Sequence, residues 1–206
     1  MQILCTLLGI SAFLTATVQA DRIGDCADGP YQSGTDQNGN SAIHSIGGGT
    51  GSPFCETKWK QGLVIKGIEV WADSNCVRAV QFKYSDDSLG NMIGKADGNI
   101  NKRIMWDPIS TRVEKLELWG DGKGKRLGRI KIRLSNNEEF DAGKDTLGQT
   151  TYNMVVGAGI MLGAYGGSGT DVDMLGILFL GSKVESLKIT DLKLDADSKT
   201  LNEQKT

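Results

Sequence analysis

Residues 166–173 read Gly-Gly-Ser-Gly-Thr-Asp-Val-Asp, which sets two carboxylates, Asp171 and Asp173, directly after a run of glycine-rich backbone. A fixed carboxylate accepts hydrogen bonds from two neighbouring hydroxyls, and the backbone N–H groups of a tight turn donate to the same oxygens. That pairing suits recognition of a polyol such as a sugar. Gly169 lets the chain turn sharply, and the N–H groups of Thr170, Asp171 and Val172 are placed to line a pocket. Asp173, at the start of the next strand, is held by the sheet behind it. The Asp171 side chain reads as an exposed loop acid.

Bond-breaking chemistry is poorly served by the same residues. A glycosidase needs two carboxyls about 5 to 10 Å apart on either side of the bond, and acids two positions apart on one turn do not bracket it. The single histidine, His44, lies in a polar segment without a Ser or Cys partner and reads as a solvated surface residue. There is no Cys-x-x-Cys spacing to accompany it, so neither a metal nor any other cofactor is expected. Gly47 to Gly49 imitates a phosphate-cradling loop, but no Lys-Ser/Thr follows and no helical pattern begins there. Asp86-Asp87 and Asn136-Asn137-Glu138-Glu139 lack the alternating ligands and closing Glu of a calcium loop and read as turns. The chain is expected to bind and not to catalyse.

A binding loop of this kind needs strands on both sides, and the pattern supplies them. From Ile46 to about Leu180 short runs alternate apolar and polar residues, as in Ile68/Val70, Val80/Phe82/Tyr84, Leu116/Leu118 and Ile130/Ile132/Leu134. The runs repeat. Gly67-Ile68-Glu69-Val70-Trp71-Ala72-Asp73 matches Lys115-Leu116-Glu117-Leu118-Trp119-Gly120-Asp121, and a second strand follows each at an offset of about fifty residues. Ile160 to Tyr165 and Val172 to Phe179 form a third, weaker copy. One hairpin cannot bury its apolar face, so three related sheets pack best around a common axis as the sides of a triangular prism. Asp173 aligns with Arg78 and Gly128, so one loop of the three carries a carboxylate there, which implies a single site. Trp71 and Trp119, at matched strand ends, are expected to pack between sheets.

The ends of the chain read differently. Residues 1–20 carry an apolar run of about a dozen residues and close on Val18-Gln19-Ala20, the pattern of a secretory signal too short to span a bilayer. Residues 21–44 are polar and glycine-rich, an extension that buries little on its own. Removal of Cys5 with the signal leaves Cys26, Cys55 and Cys76, which permit one bridge in three pairings. Residues 181–194 alternate like an added strand, and 195–206 form a polar tail. A net charge of −2 with interspersed signs gives no steering toward nucleic acid or a membrane surface, and 28 glycines against 3 prolines fit a turn-rich all-β fold.

Gly169-Thr170-Asp171-Val172-Asp173 resembles the G-x-x-x-D sugar loop of jacalin-related lectins, and Ile46 to Phe54 is similar to the glycine-rich start of that domain. The resemblance spans about residues 45–182. It implies a jacalin-like, three-fold β-prism of three Greek-key-like four-stranded sheets over residues 45–194, with a carbohydrate site built from Gly51, Gly169, Thr170, Asp171, Val172 and Asp173. The chain departs from the family at Cys55-Glu56-Thr57, where Asp-Asp-Gly is usual, and has no aromatic ring within the loop. The missing ring favours mannose or glucose over galactose. The implied protein is a secreted, extracellular lectin whose partners are glycans or glycoproteins, with a homodimer as the route to avidity. The competing reading is a secreted structural or protein-interaction module, an effector or coat component that keeps the prism without binding sugar.

Overall fold

The computed structural model describes residues 22–144 and 149–182. The signal-like segment 1–20, the expected strand beyond Ser182 and the polar tail 195–206 lie outside the described residues.

Twelve strands are described: β1 (Ile46–Gly47), β2 (Ser52–Thr57), β3 (Ile65–Ala72), β4 (Val77–Tyr84), β5 (Ile93–Gly94), β6 (Ile100–Met105), β7 (Val113–Gly120), β8 (Leu127–Leu134), β9 (Glu139–Gly143), β10 (Thr151–Asn153), β11 (Met161–Ser168) and β12 (Val172–Phe179). They pair antiparallel into three four-stranded sheets of order β5-β4-β3-β6, β10-β7-β8-β9 and β1-β12-β11-β2. In the first two, a central hairpin is flanked by the strand that follows it and by one that crosses back, which is a Greek key. The third has the same plan, but its outer strands come from the beginning of the chain. β1 and β2 thereby close the prism and carry Gly51 to the hairpin that bears Asp173.

The repeat is visible in the hydrogen bonds. Gly48 N–H donates to the Asp173 carbonyl (2.9 Å), Lys95 N–H to the Arg78 carbonyl (3.2 Å) and Lys144 N–H to the Gly128 carbonyl (2.8 Å). Positions 173, 78 and 128 are therefore equivalent, as the sequence alignment has them. Inward side chains at alternate positions, among them Ile68, Val70, Phe82, Leu116, Leu118, Ile130, Ala164, Leu175 and Ile177, make one continuous core. The two acidic segments read as turns are turns: Asp87 (φ 68°) and Asn137 (φ 66°) take the left-handed position of matching reverse turns, which Asp and Asn tolerate better than most residues.

Three expectations are corrected. Trp71 and Trp119 lie outside the core, on the face that also carries Glu69 and Glu117, and Arg129 and Lys131 approach the Trp119 ring at 5.7 and 5.1 Å. They align because they alternate with core residues, which puts them on the opposite face. The extension is not loose: a Cys26–Cys55 disulfide pins it to β2, and Cys26, Tyr31, Leu162, Tyr165, Leu178 and Leu180 form a second apolar cluster. β11 and β12 are consequently buried on both faces. His44, expected in solvent, stacks on Tyr152 with ring centroids 3.7 Å apart, and its burial lowers its pKa.

Candidate functional site

The loops joining the central hairpins lie at one end of the prism. Strand pairing ends at Ala72↔Val77, Gly120↔Leu127 and Ser168↔Val172, which leaves residues 73–76, 121–126 and 169–171 as the loops. The third is the shortest and the second the longest. The residues just before the second strands come together, so that the three loop ends meet. These are Cys76, Arg126 and Asp171, and the charges of the last two both act on the Cys76 thiol.

Asp171 corrects the reading of an exposed loop acid, because it is only 7% exposed. Arg78 Nη1 lies 2.5 Å from one carboxylate oxygen and Arg126 Nε lies 2.5 Å from the other. The contacts are close ion pairs without the alignment of good hydrogen bonds, since Arg126 Nε and Asp171 Oδ1 have no geometrically sound partner. One carboxylate thus ties an arginine from each of the other two sheets to the third. The Asp171 side chain works as an axial clamp, and only its backbone is left to face a ligand. Arg78 is bound a second time by Asp97, at 2.8 Å.

Asp173 sits beside this clamp. Its side chain is 13% exposed, with Oδ1 3.9 Å from Arg126 Nε. Burial raises its pKa above the ordinary carboxylate value and the neighbouring Asp171 adds to the rise, while Arg126 and a hydrogen bond with the Thr50 side chain oppose it. Gly51 abuts the carboxylate so closely that a Cβ there would fall 2.4 Å from Asp173 Oδ2 and 2.9 Å from the Ser168 nitrogen. Its φ of 91° also belongs to the region that favours glycine.

Of the other sequence-predicted residues, Gly169 and Thr170 are exposed at the rim, and the Val172 side chain is wholly in the core, leaving only its backbone to the loop. Gly169 N–H donates to the Asp171 carbonyl (3.0 Å), and the Thr170 carbonyl accepts from Lys95 N–H (3.1 Å), so the short loop is tied internally and to the first sheet. Gly51, the loop and Asp173 meet as one cradle. Thr50, Arg78, Lys95 and Arg126 belong to the same end of the prism and carried no functional reading in the sequence. The repeat alignment held one usable signal, since it places Cys76, Arg126 and Asp171 in register at loop ends that must converge. Cys76 is a free thiol, buried, and burial with Asp171 and Asp73 nearby pushes it up to about 11, which keeps it protonated and unreactive.

The cradle lies open to solvent at Gly51, Gly169 and Thr170, whereas the extension at 22–44 is docked on the outer face of the third sheet. An acceptor carboxylate, a loop backbone and a guanidinium placed side by side can hold hydroxyl groups. The two acids share one arginine, Arg126, whose Nε lies 2.5 Å from Asp171 and 3.9 Å from Asp173.

A family model described as the jacalin-like lectin domain matches residues 43–178. Comparison with curated proteins gave no match. Among solved structures, lamprey immune protein is 32% identical with a TM-score of 0.62, over 67% of this chain and 44% of that one. The chain therefore spans less than half of that relative. The mannose-binding lectin of champedak is 15% identical with a TM-score of 0.55, over 66% of this chain and 93% of the other. Artocarpin, solved in complex with mannotriose, is 17% identical with a TM-score of 0.54, over 66% and 94%. The last two share the fold.

Proposed function

The chain belongs to the jacalin-like lectin domain family, and from that premise we propose that it is a secreted carbohydrate-binding protein that seats one sugar at Asp173 and performs no catalysis. The observation that carries this reading is an asymmetry: of the three equivalent positions, 173 holds a carboxylate facing a glycine, 78 holds an arginine bound to Asp97 and Asp171, and 128 has no side chain. Asp173 accepts from two adjacent sugar hydroxyls, and the backbone N–H groups of residues 170–172 donate to the same hydroxyl oxygens. Mannose or glucose fits this loop because Thr170 stands at its tip and no ring is present to stack on a galactose face. The mannose ligands named for the champedak and artocarpin proteins agree with this preference.

Hydrogen bonds to sugar hydroxyls largely replace those to water, so one monosaccharide at this open site should bind with a Kd of about 1 mM. The test is a broad glycan array probed with the wild type and with Asp173→Ala. Binding to mannose- or glucose-terminated glycans that disappears in the variant supports the reading; a wild type that binds no glycan contradicts it and leaves the prism as a scaffold for a protein partner.

A further inference from the structure

The longest loop at the site end, residues 121–126, has the sequence Asp-Gly-Lys-Gly-Lys-Arg, and its charges are sorted by direction. Asp121 is buried, and its Oδ1 accepts backbone N–H bonds from Lys123 (2.8 Å) and Lys125 (3.2 Å), which lowers its pKa and fixes the loop from within. Its negative charge is thus directed at the loop's own backbone. Lys123 and Lys125 are exposed and form no ion pair among the described residues. The loop is a rigid mount with two outward ammonium groups.

This mount is built against the sugar cradle. A Cβ at Gly48 would lie 2.7 Å from both the Cα and the carbonyl oxygen of Lys125, so the backbone of the loop rests directly on the strand that leads to Gly51. Gly48 N–H in turn donates to the carbonyl of Asp173. Arg126, 43% exposed, reaches from the same loop to both Asp171 and Asp173. The two acids that would otherwise repel an anion are faced by two guanidinium groups, Arg78 on Asp171 and Arg126 shared between Asp171 and Asp173. The corresponding first loop, Asp73-Ser74-Asn75-Cys76, has no lysine or arginine, and Lys95, the exposed lysine on that side, is paired with Asp97 at 3.1 Å, so the lysines without an ion pair stand on the 121–126 side.

We propose that the binding surface continues from Asp173 onto residues 121–126 and takes glycans that carry an anionic group, a carboxylate or a sulfate, beside the sugar seated at Asp173. This rests on the lectin reading above. The neutral sugar supplies the hydroxyls for Asp173 and the loop at 169–172, and the anion lies against Lys123 and Lys125. Each exposed charge contact is worth about threefold, so the pair gives an advantage of about tenfold at low salt that fades as ionic strength rises.

The test uses three probes, mannotriose, the same trisaccharide bearing a sulfate, and the same trisaccharide bearing a terminal glucuronic acid, titrated into the wild type, Lys123→Gln/Lys125→Gln and Asp173→Ala at 50 and 500 mM salt. The expected result is about tenfold tighter binding of one or both anionic probes by the wild type at low salt, with the better probe telling sulfate from carboxylate. The double variant should keep its affinity for mannotriose, which also reports that it is folded, and lose the anionic advantage. Equal affinity for all three probes overturns this inference and leaves the lectin reading standing. So does an anionic advantage that survives the double variant, or anionic binding that survives Asp173→Ala. Absence of binding by every probe overturns both.

Discussion

Replacing Asp171 with Asn removes the charge at the axis and keeps the shape of the side chain. Each of its two ion pairs, at 2.5 Å, carries a Coulomb attraction of about 7 kcal/mol at an effective dielectric near 20. The cost of taking the ions from water cancels most of this. Arg78 keeps Asp97 after the change, and Arg126 is 43% exposed and can be rehydrated, so the loss falls below that of a fully buried pair. We expect a destabilisation of about 2 to 3 kcal/mol, which in a domain of this size lowers Tm by roughly 5 to 10 °C. Urea unfolding of Asp171→Asn, Arg126→Met and the double variant isolates the pair, with an expected coupling of about 1 kcal/mol. The change also frees Arg126 to close on Asp173, its next acid at 3.9 Å, so sugar affinity should fall severalfold although Asp173 is intact. A stability change under about 0.5 kcal/mol with no coupling would refute the clamp.

Three further outcomes follow from the same geometry. The Cys26–Cys55 bridge closes a separation of 29 residues, so Cys26→Ser/Cys55→Ser should cost about 3.6 kcal/mol by loop entropy, measured as the shift in urea midpoint, and should expose the apolar face of β11 and β12 to a hydrophobic dye. Gly51→Ala puts a methyl 2.4 Å from Asp173 Oδ2 at a φ of 91°, so it should abolish sugar binding in calorimetry while costing more than about 1 kcal/mol of stability. The Asp173 pKa is raised above its unfolded value, so this group's contribution to stability is fully present below the unfolded pKa and is lost as pH rises through the folded one. Asp173→Asn should therefore unfold at neutral pH no more easily than the wild type, and sugar affinity of the wild type should fall with acidification from a higher pH than an ordinary carboxylate gives.

Much of the architecture was legible because the hairpins repeat. Glu-x-Trp-x-Asp at 69–73 and 117–121 located two sheets, and the alignment of 173 with 78 and 128 is the register of the structure. Side-chain convergence at the axis was not legible, since periodicity assigns a residue to a face and says nothing of which loop ends meet. Asp171 was misjudged for that reason. The docking of residues 22–44 was hidden by their polar composition, yet a trace of it stood elsewhere. Met161 to Tyr165 and Met174 to Phe179 are nearly continuous apolar runs, the pattern of strands covered on both faces, and among the described residues Cys26 and Tyr31 of the extension pack against them. The pairing of Cys26 with Cys55 follows from that docking, and Cys76, alone beside the axis, is left over.

Titration of methyl α-mannoside into the isotopically labelled protein, followed through its backbone amide signals by NMR, tests the central claim most directly. The account predicts saturable shifts concentrated at Gly51 and residues 169–173, with the equivalent positions Arg78 and Gly128 far less affected. Shifts centred on another face, or none at millimolar sugar, would contradict the assignment of Asp173 as the residue that holds the ligand.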